Sequence, residues 1–158
     1  MFLIQTEEDL LRAFRPRDRQ TVEVPKGTRF PLFVRDYLTW VEPAGTRVFL
    51  VLPSPGNSKQ PMGIAFRRDS HGGASPSPCM CEWCHSYGPA NEIGMLTTDV
   101  NSKRRVGVSL CLDLRCKEKL ETAADLSGRN SRDLTKVLME RMHHFAREAL
   151  RIETVPED

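Results

Sequence analysis

The sequence predicts an α+β protein in which helices pack on an antiparallel β-sheet. Three observations point to this class. Two apolar runs, 47–52 and 61–68, flank a polar loop and have the pattern of an antiparallel hairpin. Residues 131–150 carry apolar side chains at helical spacing. Four of the five cysteines form two close pairs between these elements. We expect residues 1–158 to form a single domain.

Composition and charge limit the possible functions of the protein further. Hydrophobic residues make up 39% of the chain and the formal net charge is +2. No apolar run approaches the roughly 20 residues that cross a bilayer, so we expect no membrane association. A charge this small does not predict coating of nucleic acid by bulk electrostatics. Because residues 1–9 lack a basic segment followed by a long apolar core, we expect a cytoplasmic protein with reduced thiols.

The first elements follow from capping and periodicity. Thr6 is predicted to cap a short helix, because its hydroxyl can accept from free N–H groups and the acidic residues 7–9 suit the helix dipole. Pro16 is expected to end this helix. Two valines alternate with polar residues over 20–24, which predicts a strand.

The segment 30–40 is rich in large apolar residues and is compatible with a strand or a helix. Its aromatic side chains are expected in the core: Phe33, Tyr37 and Trp40. The run 47–52 predicts a strand that ends at Pro53, residues 54–59 a loop, and 61–68 the partner strand. One face of the partner strand carries its apolar residues: Met62, Ile64 and Phe66.

The second half alternates breaks with regular elements. Residues 69–78 are too rich in Gly, Ser and Pro for a regular element, whereas 106–114 have strand character. A long helix is predicted from a cap at Ser131 to about Leu150. Its apolar face is formed by residues at helical spacing: Leu134, Val137, Leu138, Met142, Phe145, Ala149 and Leu150.

The cysteine pairs carry the most specific signal. Cys81 and Cys84 form a C-x2-C knuckle, and Cys111 and Cys116 form a C-x4-C pair where a strand leads into a predicted helix. Four thiolates satisfy a closed tetrahedral Zn²⁺ site, so we expect one structural zinc per chain. A knuckle, a hairpin and a last ligand that opens a helix form a treble-clef zinc finger, here at about 79–127.

Other assignments of these residues stay open. A disulfide pair or four free buried thiols are the alternatives to zinc, and Cys79 could replace Cys81 in a longer knuckle, although we expect it to be a spare thiol. His85 directly follows a ligand, and adjacent residues rarely bind one ion, so we expect it beside the site or at the surface. The side chains of His143 and His144 point about 100° apart around their helix, so they cannot bind one ion together. With no open metal position and no nucleophile or phosphate-loop motif, we expect no enzymatic activity.

A family resemblance adds to this interpretation. The runs 81–85, 88–92 and 111–116, with the aromatic-rich segment 30–40 and the hairpin 47–68, resemble the C-terminal treble-clef zinc-finger domain of elongation factor G-binding proteins. This is the family of the FusB-type fusidic acid resistance proteins. The resemblance implies an α/β zinc domain that binds elongation factor G and promotes its release from stalled ribosomes. Longer family members carry an N-terminal helical bundle, for which we expect no room in this sequence.

The resemblance also implies a partner surface around the zinc finger. Here Lys103, Arg104 and Arg105 would lie at the tip of a hairpin, and Leu126 would offer one apolar contact or pack in the core. An aromatic residue that the family leads us to expect near this tip is absent. Trp83 is expected to pack over the knuckle, the alternative being an exposed anchor. We therefore expect a monomeric, non-enzymatic protein that binds elongation factor G; the alternative is an RNA- or ribosome-binding zinc module without that specificity.

Overall fold

The chain divides into two structural units, whose described parts lie within Met1–Arg67 and Arg68–Ile152. The structure, a computed structural model, describes residues 1–68 and 78–150. Most of the break predicted at 69–78 lies outside these residues. The prediction of a single domain stays a prediction. None of the described helices is both long and apolar enough to span a membrane.

The described part of the first unit holds two short helices and five strands. In chain order they are β1 (Phe2–Ile4), α1 (Glu7–Arg12), α2 (Pro16–Arg19), β2 (Leu32–Val34), β3 (Leu38–Val41), β4 (Arg47–Ser54) and β5 (Asn57–Arg68). Strands β1 and β2 pair antiparallel, and β3, β4 and β5 form antiparallel neighbours in that order. The predicted hairpin is therefore confirmed.

Local chemistry explains the two helices. The Thr6 Oγ1 accepts a hydrogen bond from the Asp9 N–H at 3.1 Å, which is the predicted cap of α1. Pro16 lies beyond the end of α1 and occupies the first position of α2. At that position its missing N–H removes no intrahelical hydrogen bond.

An aromatic cluster forms the core of the first unit. Phe14 is 1% exposed and packs edge-to-face on Trp40 and Phe49, with ring centroids 6.1 and 6.0 Å apart. Gly63 on β5 lies directly against the Phe14 ring, and its N–H donates to the Ala13 carbonyl at 2.8 Å. The predicted inward face of β5 is confirmed, because Met62, Ile64 and Phe66 are all buried.

Three predictions for this unit are wrong. Residues 20–24 form no strand. Their valines pack against the aromatic cluster without a strand neighbour in the described chain, and the Glu23 carbonyl accepts from the Trp40 indole N–H at 2.9 Å. Phe33 is 72% exposed rather than in the core, because it pairs with Leu3 on the outward side of β1 and β2. The loop predicted at 54–59 is a tight turn, since β4 continues through Pro53 to Ser54 and β5 begins at Asn57.

The second unit contains the cysteines. Its elements are β6 (Cys79–Met80), β7 (Tyr87–Gly88), β8 (Ile93–Asp99), β9 (Arg105–Cys111), α3 (Cys116–Ser127) and α4 (Ser131–Glu148). Strands β6 and β7 pair as a short ribbon, and β8 and β9 pair antiparallel from Ile93↔Cys111 to Asp99↔Arg105. The helix predicted to open near Cys116 is confirmed.

Helix α4 follows the predicted periodicity with a shift at its start. Its cap is Asn130 rather than Ser131, because the Asn130 Oδ1 accepts from the Arg132 N–H at 2.9 Å. Leu138, Met142 and Phe145 are buried, as predicted, whereas Val137 is 39% exposed. Strand β9 ends at Cys111, three residues before the predicted end at 114.

Candidate metal centre and neighbouring surface

Four cysteine sulfurs meet in the second unit. Cys81 and Cys84 lie in the knuckle between β6 and β7, Cys111 ends β9 and Cys116 begins α3. All four side chains are buried, and their Sγ atoms lie within 4.8 Å of one another. Secondary structure thus brings together two pairs that are separated by 26 intervening residues in the sequence (85–110).

The knuckle is held by backbone hydrogen bonds. The His85 N–H donates to the Cys81 carbonyl at 2.8 Å, and the Cys81 N–H donates to the Ser86 carbonyl at 2.9 Å. His85 adopts a left-handed conformation with φ of 61° to close this turn. The Glu82 N–H donates to the Ser109 carbonyl at 2.9 Å, which fixes the knuckle against β9.

A second turn positions the other cysteine pair. Leu114 also has a left-handed backbone, with φ of 55°, and its N–H donates to the Cys111 carbonyl at 3.0 Å. The Asp113 carboxylate accepts from the Arg115 N–H at 3.0 Å, just before α3 begins. Because the Leu114 side chain is fully buried, packing can offset the cost of its backbone conformation.

The crowded sulfurs change one another's protonation. Hydrogen bonds from Cys111 and Cys116 lower the pKa of Cys81 to about 7, and the same two donors hold the pKa of Cys84 well below its ordinary value. The hydrogen bond to Cys111 raises the pKa of Cys116. At Cys111 the hydrogen bond with Cys116 lowers the pKa, but those with Cys81 and Cys84 and burial outweigh it and raise the pKa. Four thiolates can coexist here only if a cation balances their charge.

Lys119 supplies a positive charge beside the sulfurs. Its Nζ donates to the Cys111 Sγ at 3.1 Å from the first turn of α3. Burial alone would lower the pKa of Lys119. The hydrogen bond to Cys111 and the neighbouring negative charges outweigh burial and raise the pKa above its ordinary value, so the amine stays protonated. The sequence interpretation missed this residue; its position three residues after Cys116, one helical turn on, was the available signal.

The geometry fits a tetrahedral metal centre. A zinc–sulfur bond of about 2.3 Å gives S···S edges of about 3.8 Å in a regular tetrahedron. The Cys81–Cys116 and Cys84–Cys111 sulfurs are 3.7 and 3.6 Å apart. The four cysteines are thus positioned to bind one metal ion, and an all-sulfur donor set favours Zn²⁺ among the common biological cations.

Cys79 and His85, the two residues next to the predicted ligands, lie outside this cluster. Cys79 belongs to β6 and is half-buried, and it is not among the four clustered side chains. His85 is exposed and also lies outside the cluster. No disulfide links the five cysteines.

Two of the three basic residues predicted at a hairpin tip, Lys103 and Arg104, lie in the turn, whereas Arg105 is the first residue of β9. Residues 100–104 connect β8 to β9, and the Val100 N–H donates to the Arg104 carbonyl at 2.8 Å. Lys103 and Arg104 are exposed and make no ion pair with the described residues. Arg105 is partly engaged, since its Nε donates to the Asp99 carboxylate at 2.9 Å.

The structure also shows whether Leu126 and Trp83 are buried or exposed. Leu126 is 86% exposed near the end of α3, so the core alternative is wrong. Trp83 is 3% exposed and packs edge-to-face on Phe145, with ring centroids 5.8 Å apart, so it is not an exposed anchor. The Arg141 Nη1 donates to the Trp83 carbonyl at 2.6 Å and ties α4 to the knuckle. Nothing in the sequence pattern of α4 indicated this contact.

Together these features define an α+β protein with a treble-clef zinc finger and a structural Zn²⁺ site. The model of the family described as "FBP C-terminal treble-clef zinc-finger" matches residues 9–152. The chain therefore belongs to this family, that of the FusB-type proteins.

A solved structure supports the fold. The chain is similar to the fusidic acid resistance protein FusC, with 16% sequence identity and a TM-score of 0.50. The match covers 79% of this chain and 56% of the FusC chain, so this chain spans little more than half of that relative. No curated protein matches the sequence.

Proposed function

We propose that this protein is a non-enzymatic binding module that docks on translation elongation factor G. The observation that carries the proposal is the family match over residues 9–152, which spans the four-cysteine cluster and the hairpin tip. FusC, a solved structure of the same fold, is a fusidic acid resistance protein. Release of the factor from ribosomes is the action that family membership suggests.

Zinc would have a structural part in this function. We assign the four ligands to Cys81, Cys84, Cys111 and Cys116. In support, all four sulfurs lie within 4.8 Å of one another, and two of the S···S distances, 3.7 and 3.6 Å, match the edge of a zinc–sulfur tetrahedron. Four protein ligands leave no position for a water molecule, so the metal would hold the fold and supply no hydrolytic chemistry. The bound ion would fix β9 and α3 relative to the knuckle.

The proposed contact surface comprises Lys103, Arg104, Arg105 and Leu126. Two of its cations are exposed and free of ion pairs within the described chain, which suits an acidic partner surface. Leu126 adds exposed apolar area, which a partner could bury. Arg105 would have a weaker effect because Asp99 already accepts from it.

A binding assay with purified elongation factor G tests the proposal. The wild-type protein should be retained at micromolar concentration. A Lys103→Glu, Arg104→Glu double variant should bind about tenfold or more weakly, since charge reversal at an interface costs more than charge removal. Lys26→Glu reverses a single exposed charge in the first unit and serves as the control. Zinc content measured on each variant shows that the fold is intact.

The assay also separates the alternative function. Repeating it with ribosomes shows whether release from the ribosome accompanies binding. Absence of retention at micromolar protein, with zinc bound, would refute the proposal. Salt-dependent retention on ribosomal RNA without elongation factor G would instead favour the RNA-binding alternative, because phosphate contacts weaken steeply as salt rises.

A further inference from the structure

Helix α3 presents two side chains to the sulfur cluster. Cys116 is the first residue of the helix and belongs to the cluster, and Lys119 follows three residues later on the same face. The Lys119 Nζ donates to the Cys111 Sγ at 3.1 Å. Because Cys111 ends β9, this hydrogen bond joins the helix to the strand beside the sulfurs.

The charge of the metal centre gives this contact a significance beyond packing. Four thiolates carry two more negative charges than one Zn²⁺ ion neutralises. All four cysteine side chains are buried, so water screens this excess charge poorly. The Lys119 ammonium group, at hydrogen-bond distance from one sulfur, offsets one of the two remaining negative charges.

Two other donors to the cluster are uncharged. The Cys84 N–H donates to the Cys81 sulfur, and the Ser86 hydroxyl donates to the Cys84 sulfur. The hydrogen bond from Lys119 is charge-assisted, and such bonds are about twice as strong as those between neutral groups. Lys119 is also only partly exposed, so solvent screens its charge less than that of a surface lysine.

We propose that Lys119 is a positioning residue of the zinc centre, which acts through the Cys111 sulfur to strengthen zinc binding and to reduce the electron donation of that sulfur. Its positive charge stabilises the cluster of thiolates, and its hydrogen bond orients the Cys111 side chain. Loss of the charge should therefore leave the four ligands in place and weaken their hold on the metal. This inference rests on the ligand assignment proposed above and is independent of binding to elongation factor G.

Chelator competition for zinc on the full chain tests the proposal. Lys119→Met removes the charge but keeps a long unbranched side chain, and it should weaken zinc binding about 10- to 100-fold. Lys119→Gln, which is uncharged but polar, should show the same loss, so the test does not depend on how methionine packs. Lys119→Arg keeps the positive charge and should recover most of the affinity. Lys136→Met removes a lysine charge from an exposed position of α4 and should leave the affinity within about twofold.

A spectroscopic measurement separates the effect of charge from that of packing. With Co²⁺ in place of zinc, the sulfur-to-cobalt charge-transfer absorption reports how tightly the sulfurs hold their electrons. Lys119→Met and Lys119→Gln should move this band to longer wavelength, because a thiolate without a neighbouring cation gives up an electron more easily. Lys119→Arg and Lys136→Met should leave the band close to its wild-type position.

The outcomes distinguish this proposal from the ligand assignment. Wild-type zinc affinity in both uncharged Lys119 variants, or an equal loss in Lys136→Met, would overturn the role of Lys119 and leave the ligand assignment intact. Weaker zinc binding without a band shift, or without recovery in Lys119→Arg, would also overturn it, since loss of packing would then explain the result. A wild-type chain that binds neither Zn²⁺ nor Co²⁺ would overturn the ligand assignment and this proposal together.

Discussion

A single methyl group on Gly63 should destabilise the first unit. Gly63 lies in the middle of β5, where alanine would normally be favoured by about 0.5–1 kcal/mol over glycine. A Cβ atom built on this residue would lie 2.6 Å from both Cγ and Cδ1 of Phe14 and 2.8 Å from its Cδ2. Ordinary carbon contacts are about 3.5–4.0 Å, so three ring atoms would be about 1 Å too close.

Neither the Phe14 ring nor the Gly63 backbone can easily move away from this contact. Phe14 is 1% exposed and lies edge-to-face on both Trp40 and Phe49. The Gly63 backbone is held by its hydrogen bond to the Ala13 carbonyl at 2.8 Å. Overpacking of this kind costs about 1–3 kcal/mol. After the backbone gain is subtracted, Gly63→Ala should lower the free energy of unfolding by about 1–2 kcal/mol, or the melting temperature by about 2–8 °C.

Urea unfolding followed at the Trp40 indole N–H would measure the effect in this unit, since that group donates to the Glu23 carbonyl. Gly94→Ala is the matched control, because its Cβ would lie 3.5 Å from Leu112, an ordinary contact. Phe14→Leu should relieve the clash, so the double variant with Gly63→Ala should show a coupling energy of at least about 0.5 kcal/mol. Wild-type stability for Gly63→Ala, or strict additivity with Phe14→Leu, would refute the reasoning.

Three further predictions concern the metal centre. Cys116→Ser should abolish zinc binding and unfold the second unit, because structural zinc contributes about 10–16 kcal/mol in finger peptides, whereas Cys79→Ser should keep one zinc per chain by mass spectrometry. His85→Gly should also keep its zinc, with the free energy of unfolding changed by less than about 1 kcal/mol, because glycine adopts a φ of 61° without strain; zinc loss would identify the histidine as a ligand. Zinc affinity, measured by chelator competition, should fall as the pH is lowered, because bound thiolates have pKa values below those of the free thiols and protons compete with the metal; a flat profile would argue against thiolate ligation.

Local signals predicted much of the second unit. The spacing of the cysteine pairs indicated a knuckle and a helix opening, and both are present, because tight turns and helix starts are determined by neighbouring residues. The contact that ties α4 to the knuckle was not predictable. It is a hydrogen bond between Arg141 and Trp83, which are 58 residues apart, and a periodic pattern within one helix gives no information about such a long-range contact.

Two of the three errors in the first unit have one physical cause. Alternation over 20–24 correctly predicted that the valines face the core, where they are partly buried, but packing on the core does not require a strand neighbour. At Phe33 the residue type suggested the core, yet the parity of the β1–β2 register turns it outward opposite Leu3. Side-chain apolarity was therefore a better predictor of which segments are structured than of which face each residue occupies.

The metal centre limits where function can reside. If all four sulfurs bind zinc, every coordination position is filled and the ion can neither polarise a substrate nor activate water. Lys119 reinforces this closure, because its ammonium group occupies one side of the Cys111 sulfur and balances part of the cluster's negative charge. The contribution of zinc is then to hold β9, the knuckle and α3 in fixed positions. Any partner must be recognised by side chains that this frame displays, which is why charge reversal at Lys103 and Arg104 should weaken partner binding while zinc content stays constant.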